Sequence, residues 1–277
     1  MIEKKGYDTL ILLYQKTIMG RQLTKTKGKK SKRKSVILWI LFVVALCGLL
    51  FSGYKIYTIL HGYGEAKDVY QTMEEEMAAE KGADQNEFRP DFQKLKKENP
   101  DCVAWIRCDG VFSYPVVKGK DNVYYLTHLF DGTENSCGTI FMDTANRDAD
   151  DQNCILYGHN MQDESMFGTL YKYGEESYYK EHPVMDLYTE TDHYRYEVLS
   201  AYRTPVTGPV YQIGFSSEEA FLNMKKEVAA CCPYETACEI KGNSAPLLTL
   251  STCTYDSSET DRYVVVLQRM DEEKEKD

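Results

Sequence analysis

Beyond about residue 100 the chain is built from short apolar runs separated by turn-forming residues, a pattern that predicts β-structure. Runs rich in β-branched and aromatic residues fall at 103–107, 114–118, 138–142, 153–157, 185–189, 194–199, 247–251 and 262–267. Eight short strands of this kind, without helices alternating between them, point to a closed or nearly closed barrel in a mainly β protein. Two helical insertions interrupt them. Residues 166–173 read as a short helix. Residues 216–230 read as a longer one, with Ser216 or Ser217 as N-cap, acidic residues in the first turn and apolar residues at 221, 222, 224 and 228. Upstream, 65–97 is rich in Glu, Lys, Ala, Gln and Met with apolar residues at helical spacing, which predicts one or two helices. Gly82 to Asn86 should break them, and a further helical turn is expected around 90–99.

A different pattern appears nearer the N-terminus, where Val36 to Gly53 form eighteen residues without a charge. At about 1.5 Å per residue this run nearly spans a hydrocarbon layer of about 30 Å, and Tyr54 to Leu60, broken only by Lys55, extend it. Trp39, Tyr54 and Tyr57 suit the two interfaces. A cleavable signal peptide would carry a shorter apolar region, about 7–15 residues, ending in small residues; no A-x-A site follows here, so an uncleaved anchor is expected. Seven basic residues between Lys25 and Lys34 should hold the N-terminus in the cytoplasm and send residues after about 60 outside. The expected organisation is therefore a basic cytoplasmic segment (1–35), a transmembrane signal-anchor helix (36–60), an extracellular helical segment (61–99), a β-barrel domain (100–270) and a charged tail (271–277). Residues 1–20 carry no clear role.

Charge divides the chain in the same place. Residues 1–53 hold eleven Lys or Arg against Glu3 and Asp8, a net +9; since the whole chain sums to −10, residues 54–277 carry −19. An acidic body argues against nucleic acid as a partner, because phosphate binding needs a clustered cationic face. The basic cluster beside the apolar run is better explained by the membrane.

Nine cysteines in an exported chain raise the question of disulfides. Cys47 lies in the anchor, leaving Cys102, Cys108, Cys137, Cys154, Cys231, Cys232, Cys238 and Cys253. Their spacing lacks a paired C-x-x-C, so zinc is not expected. Most read as buried small apolar residues, with a Cys231–Cys238 or Cys232–Cys238 bridge left open.

Three segments could carry chemistry. Leu156 to Met161 put His159 where an apolar strand runs out into a loop; Leu248 to Thr254 end another such strand with Cys253; and Arg262 begins the last strand. Each sits at a strand end, so the three side chains can gather at one rim of a barrel. A cysteine nucleophile needs a neighbour that favours the thiolate. Acyl transfer also needs a donor for the oxyanion and a proton for the departing amine. Singly, each residue has a plainer explanation: a core cysteine, a hydrogen-bonding loop histidine, a solvated arginine.

Together they resemble the sortases. Gly158-His-Asn160 after a strand, Thr249-Leu-Ser-Thr-Cys253 about ninety residues later, and Arg262 nine residues beyond the cysteine followed by Tyr-Val-Val-Val266 are similar to that family. The Thr-Leu-Ser-Thr-Cys stretch, the helix before the cysteine strand, the helices between anchor and barrel, and Tyr124-Tyr-Leu126, Phe130 and Gly138 to Asp143 are most similar to its class B members. The resemblance covers roughly 90–270. It implies an eight-stranded sortase-type barrel in which Cys253 attacks the threonine carbonyl of a C-terminal sorting signal on a surface protein. A thioacyl enzyme forms, and an amine of a peptidoglycan precursor or cross-bridge then takes the acyl group. His159 would protonate the leaving amine and deprotonate the incoming one, and Arg262 would hold substrate and offset the oxyanion. Ser251, Thr252, Thr254 and Asn160 would help bind substrate. Thr254 stands where class B members often have an acidic residue, for which Asp256 or Glu259 are the candidate substitutes. No metal or organic cofactor is implied. Some sortases use calcium on acidic loops, but the run Asp148-Ala-Asp-Asp151 reads as solvated.

Two other readings stay open: a papain-like cell-wall cysteine hydrolase, in which the cysteine would precede the histidine, and a non-catalytic anchored surface protein, in which Cys253 would be unreactive.

Overall fold

The structure, a computed structural model, describes residues 3–79, 88–242, 245–253 and 260–271, the side chains of 3–13, 18, 20–33, 77–79 and 253 excepted. The chain divides into two compact units, Met1–Leu60 and His61–Asp277. The first is helical throughout its described length, as the start of α1 (Glu3–Ala79). Its large apolar side chains, from Val36 and Trp39 to Ile59 and Leu60, are exposed. Among the described residues one helix, over Lys34–Glu76, contains a window long and apolar enough to cross a membrane by length and composition.

In the second unit the last turns of α1 bury Ala66, Tyr70 and Met73, the i, i+4, i+7 stripe of an amphipathic helix. Tyr70 donates its hydroxyl to Gly138 O at 2.8 Å. The expected break at 82–86 lies outside the described residues. Helix α2 (Phe92–Glu98) is capped by Asp91, whose carboxylate accepts from the Gln93 and Lys94 amides.

Eight strands follow: β1 (Cys102–Cys108), β2 (Phe112–Val117), β3 (Ile140–Met142), β4 (Asn153–Tyr157), β5 (Val184–Tyr188), β6 (His193–Pro205), β7 (Leu247–Cys253) and β8 (Asp261–Arg269). They close into a barrel in the order β1-β2-β3-β4-β7-β8-β6-β5. The β2/β3 and β4/β7 pairs are parallel and the others antiparallel. Each of the eight runs read from the sequence becomes a strand.

The wall made by β7 and β8 is covered on both faces. Leu248, Leu250, Val265 and Leu267 pack in the main core, while Leu247, Val264 and Val266 pack against α4 (Glu218–Ala230) through Phe221 and Val228. Burial of both faces is why these strands read as continuous apolar runs rather than alternating ones. Helix α4 starts on Ser217, which accepts from the Ala220 amide at 3.1 Å, with Glu218 and Glu219 in its first turn.

The 166–173 insertion is only partly helical. Met166 takes a positive φ of 52°, and the helical part is a 3₁₀ turn over Leu170–Gly174 followed by a short α3 (Glu176–Glu181). Gly168 explains the difference, since a Cβ there would lie 2.3 Å from Met161 O. The chain doubles back too tightly for a regular helix to begin at 166.

Candidate active site

The register of three neighbouring strands assembles the candidate residues. β4 runs parallel to β7 with Tyr157 level with Ser251, and the Gly158 amide continues the pairing by donating to Ser251 O at 3.2 Å. One residue beyond Gly158 is His159, and two beyond Ser251 is Cys253. On the other side of β7, antiparallel β8 sets Arg262 directly opposite Cys253. Three positions from two distant parts of the sequence thus reach the same end of adjacent strands.

Gly158 is required by packing. A Cβ at that position would meet Ile140 Cδ1 at 2.4 Å and the Phe167 ring at 2.7 Å. Beyond it the loop folds back on itself. The Phe167 amide donates to His159 O at 3.0 Å, and Asn160 and Met166 form an isolated β-bridge. The half-buried His159 ring is fixed by its Nε2, 2.7 Å from the carbonyl oxygen of Leu126.

A cleft of about 340 Å³ opens at this rim, and His159, Arg262, Ser251 and Thr252 all line it. Arg262 enters from the start of β8, its Nη1 donating to Asp261 O at 2.9 Å, while the Asp261 carboxylate is paired with Arg203 at 2.7 Å. Ser251 Oγ and the Tyr211 hydroxyl are 2.8 Å apart. Thr252 is buried, and its hydroxyl has no hydrogen-bond partner among the described residues. Asn160 is not part of this lining, and Thr254, Asp256 and Glu259 lie outside the described residues.

The cleft also takes residues the sequence did not single out: Asn122, Phe141, Tyr157, Val206 and Tyr211. Tyr157 donates to Asp143 Oδ2 at 2.8 Å; burial and that carboxylate both raise the phenol's pKa, so it remains neutral. Val206 and Tyr211 come from the β6–α4 connection, whose 3₁₀ turn Pro209–Tyr211 is held by buried Asn153 donating to Val210 O at 2.7 Å. Long-range backbone tethering of this kind has no local sequence signature.

The other cysteines do not compete for the site. Cys47, Cys102, Cys108, Cys137, Cys154, Cys231, Cys232 and Cys238 are free thiols, so neither bridge left open by the sequence is formed. Burial pushes Cys102 up to about 12 and Cys108 and Cys137 to about 11, away from the thiolate form, and raises Cys154 further. None of the eight lines the cleft. The acidic run 148–151 is not wholly solvated either. Asp151 is buried, accepting from the Arg147 amide at 2.7 Å and from Asn146 Nδ2 at 3.1 Å.

The family model described as Sortase domain matches residues 109–270, more than half of the chain. The chain belongs to the sortase family. Sortase B of Listeria monocytogenes is 33% identical over 231 residues, covering 80% of this chain and 92% of that protein. Sortase B of Staphylococcus aureus is 29% identical over 243 residues, covering 87% and 98%. Among solved structures, a Staphylococcus aureus sortase B–substrate complex superposes with a TM-score of 0.68 at 30% identity, over 75% of this chain and 97% of that one. Sortase B of Bacillus anthracis gives 0.67 at 31% identity, over 76% and 99%. This sortase is therefore of class B, a cysteine transpeptidase.

Proposed function

We propose that this sortase cleaves a C-terminal sorting signal at a threonine carbonyl and joins the freed acyl group to a peptidoglycan amine. The observation that carries the reading is the β4–β7–β8 register beside the cleft, which brings the positions of His159, Cys253 and Arg262 to one strand end. The Cys253 thiolate attacks the carbonyl carbon, and the developing oxyanion is offset by the Arg262 guanidinium. His159, as imidazolium, gives a proton to the departing amine as the C–N bond breaks, leaving a thioester on Cys253. The incoming amine attacks that thioester and loses its proton to His159, and the thiolate leaves. Ser251 and the Thr252 hydroxyl, which has no partner among the described residues, offer polar contacts to the substrate backbone, and Asn160 and Thr254 are proposed to add to them. The apolar helix fits a single-pass anchor with its basic flank in the cytoplasm and the barrel outside, where surface proteins and cell-wall amines meet. Related proteins support both half-reactions: Staphylococcus aureus sortase B has been solved with a substrate, and a sortase B with triglycine.

The test uses the full chain in detergent micelles with quenched peptides carrying threonine at the scissile position, with and without triglycine. The expected result is cleavage plus triglycine-dependent ligation, abolished by Cys253→Ala and reduced by about 10²-fold or more in His159→Ala and Arg262→Ala. Cleavage of cell-wall peptides without ligation would instead indicate a hydrolase, and no turnover at all a binding protein.

A further inference from the structure

His159 is held by a backbone carbonyl, and the residues behind that carbonyl are built to keep it in place. Leu126 ends a 3₁₀ turn, Tyr124–Leu126. The turn is opened by Asp121, whose Oδ1 accepts from the Val123 amide at 2.9 Å and the Tyr124 amide at 2.8 Å. Those two bonds lower the Asp121 pKa, so the cap is a carboxylate. From behind, Gly138 presses on the turn with φ at +62°, and a Cβ there would lie 2.4 Å from Tyr125 O and 3.0 Å from Leu126 O. The Thr139 amide ties Tyr125 O at 2.9 Å, and Tyr70 ties Gly138 O at 2.8 Å. Only glycine allows the backbone to approach this closely in that conformation.

A carbonyl oxygen has no proton to give, so the 2.7 Å contact requires Nε2 of His159 to be the donor. We infer that the 3₁₀ turn 124–126, locked by Asp121 and Gly138, is the positioning element of the histidine: it holds the neutral ring as the Nε2–H tautomer, so that Nδ1 handles the reaction's protons. This rests on the role proposed for His159 above. In the imidazolium both nitrogens carry protons. Nδ1–H passes to the departing amine nitrogen, and the ring returns to the Nε2–H form without releasing Leu126. The incoming amine then gives its proton to Nδ1.

The test is the ring ¹⁵N spectrum of the full chain, labelled in histidine and held in lipid nanodiscs, with His159 assigned by difference against His159→Gln. The expected signature at alkaline pH is a protonated Nε2 and an unprotonated Nδ1. In parallel, Asp121→Ala should lower kcat by about 10- to 100-fold with KM little changed, because a misplaced proton-transfer group costs rate rather than binding. Asp121→Asn, which keeps the acceptor, should restore most of it. Gly138→Ala should shift the same ring signals if it folds; the Asp121 pair carries the test if it does not. A protonated Nδ1, or an Asp121→Ala enzyme with unchanged kcat, would overturn the inference. Unaltered turnover in His159→Ala would instead overturn the role assigned to His159 itself.

Discussion

Gly158 stands one residue before His159 where β4 gives way to the loop, and nothing larger fits. Ile140 Cδ1 lies 2.4 Å and the Phe167 ring 2.7 Å from where a Cβ would be. Gly158→Ala must push one of these buried neighbours aside, at about 1–3 kcal/mol for overpacking a closed site. The melting temperature should fall by roughly 2–4 °C per kcal/mol, and turnover should fall with it because the displaced strand end carries His159. A variant with wild-type melting and turnover would contradict that packing. Asp151 illustrates a residue whose neighbours decide its role. Burial raises its pKa, but bonds from the Arg147 amide, Asn146 and the Arg147 guanidinium outweigh it and hold the carboxyl below its ordinary value. A depressed folded-state pKa stabilises the fold at pH values above the ordinary aspartate range near 4 and is lost as pH falls through the lowered value. Thermal melts from pH 6 to pH 2 should therefore show a steeper acid loss in the wild type than in Asp151→Asn. Equal slopes would mean that the carboxylate does not stabilise the fold.

Elements were legible where the local pattern and the tertiary context agree. The triple valine of β8 and the leucines of β7 announce strands covered on both faces, and Ser217 with two glutamates announces the start of α4. The 166–173 segment misled because its apolar residues serve a reversal governed by Gly168 and a positive φ at Met166, set by close backbone approach rather than periodicity. Helix α4 held a second surprise: Lys225 lies on its buried face. The ammonium donates to Lys241 O at 3.1 Å, Gly242 O at 3.0 Å and Gln268 Oε1 at 3.2 Å, as well as to Ala245 O, and sits 4.4 Å from the Phe221 ring centroid. It pins the segment that leads into β7 onto the helix. A lysine in a helical sequence reads as solvated, and its carbonyl partners, 16 to 20 residues away, leave no mark in the pattern. Lys225→Met keeps the bulk but strands those acceptors, and should cost about 2–4 kcal/mol in denaturant unfolding. A loss under about 0.5 kcal/mol, the range of ordinary surface substitutions, would show that the cage is not structural.

At the scale of the whole molecule, the candidate site was legible in the sequence because its three candidate residues fall at or next to strand ends, and the barrel register brings those ends together. In the sequence the histidine, cysteine and arginine became candidates only together, through their strand-end settings and the resemblance of their motifs to the sortases; the register that sets Arg262 opposite Cys253 is visible only in the structure. The carbonyl of Leu126, the Tyr211 turn and the cradle of Gly138 could not be recognised in the sequence, because each acts through backbone geometry set by distant segments. Burial also divides the cysteines, since the raised pKa values of Cys102, Cys108, Cys137 and Cys154 leave them protonated near neutral pH. Only Cys253 ends a strand opposite Arg262. The most direct measurement is intact-mass spectrometry of the full chain during turnover of a threonine-containing peptide, with the modified residue located by fragmentation. The account predicts a transient acyl adduct on Cys253 that disappears on adding triglycine and never forms in Cys253→Ala. An adduct on any other cysteine, or peptide ligation with no covalent intermediate in a Cys253→Ala enzyme, would contradict it.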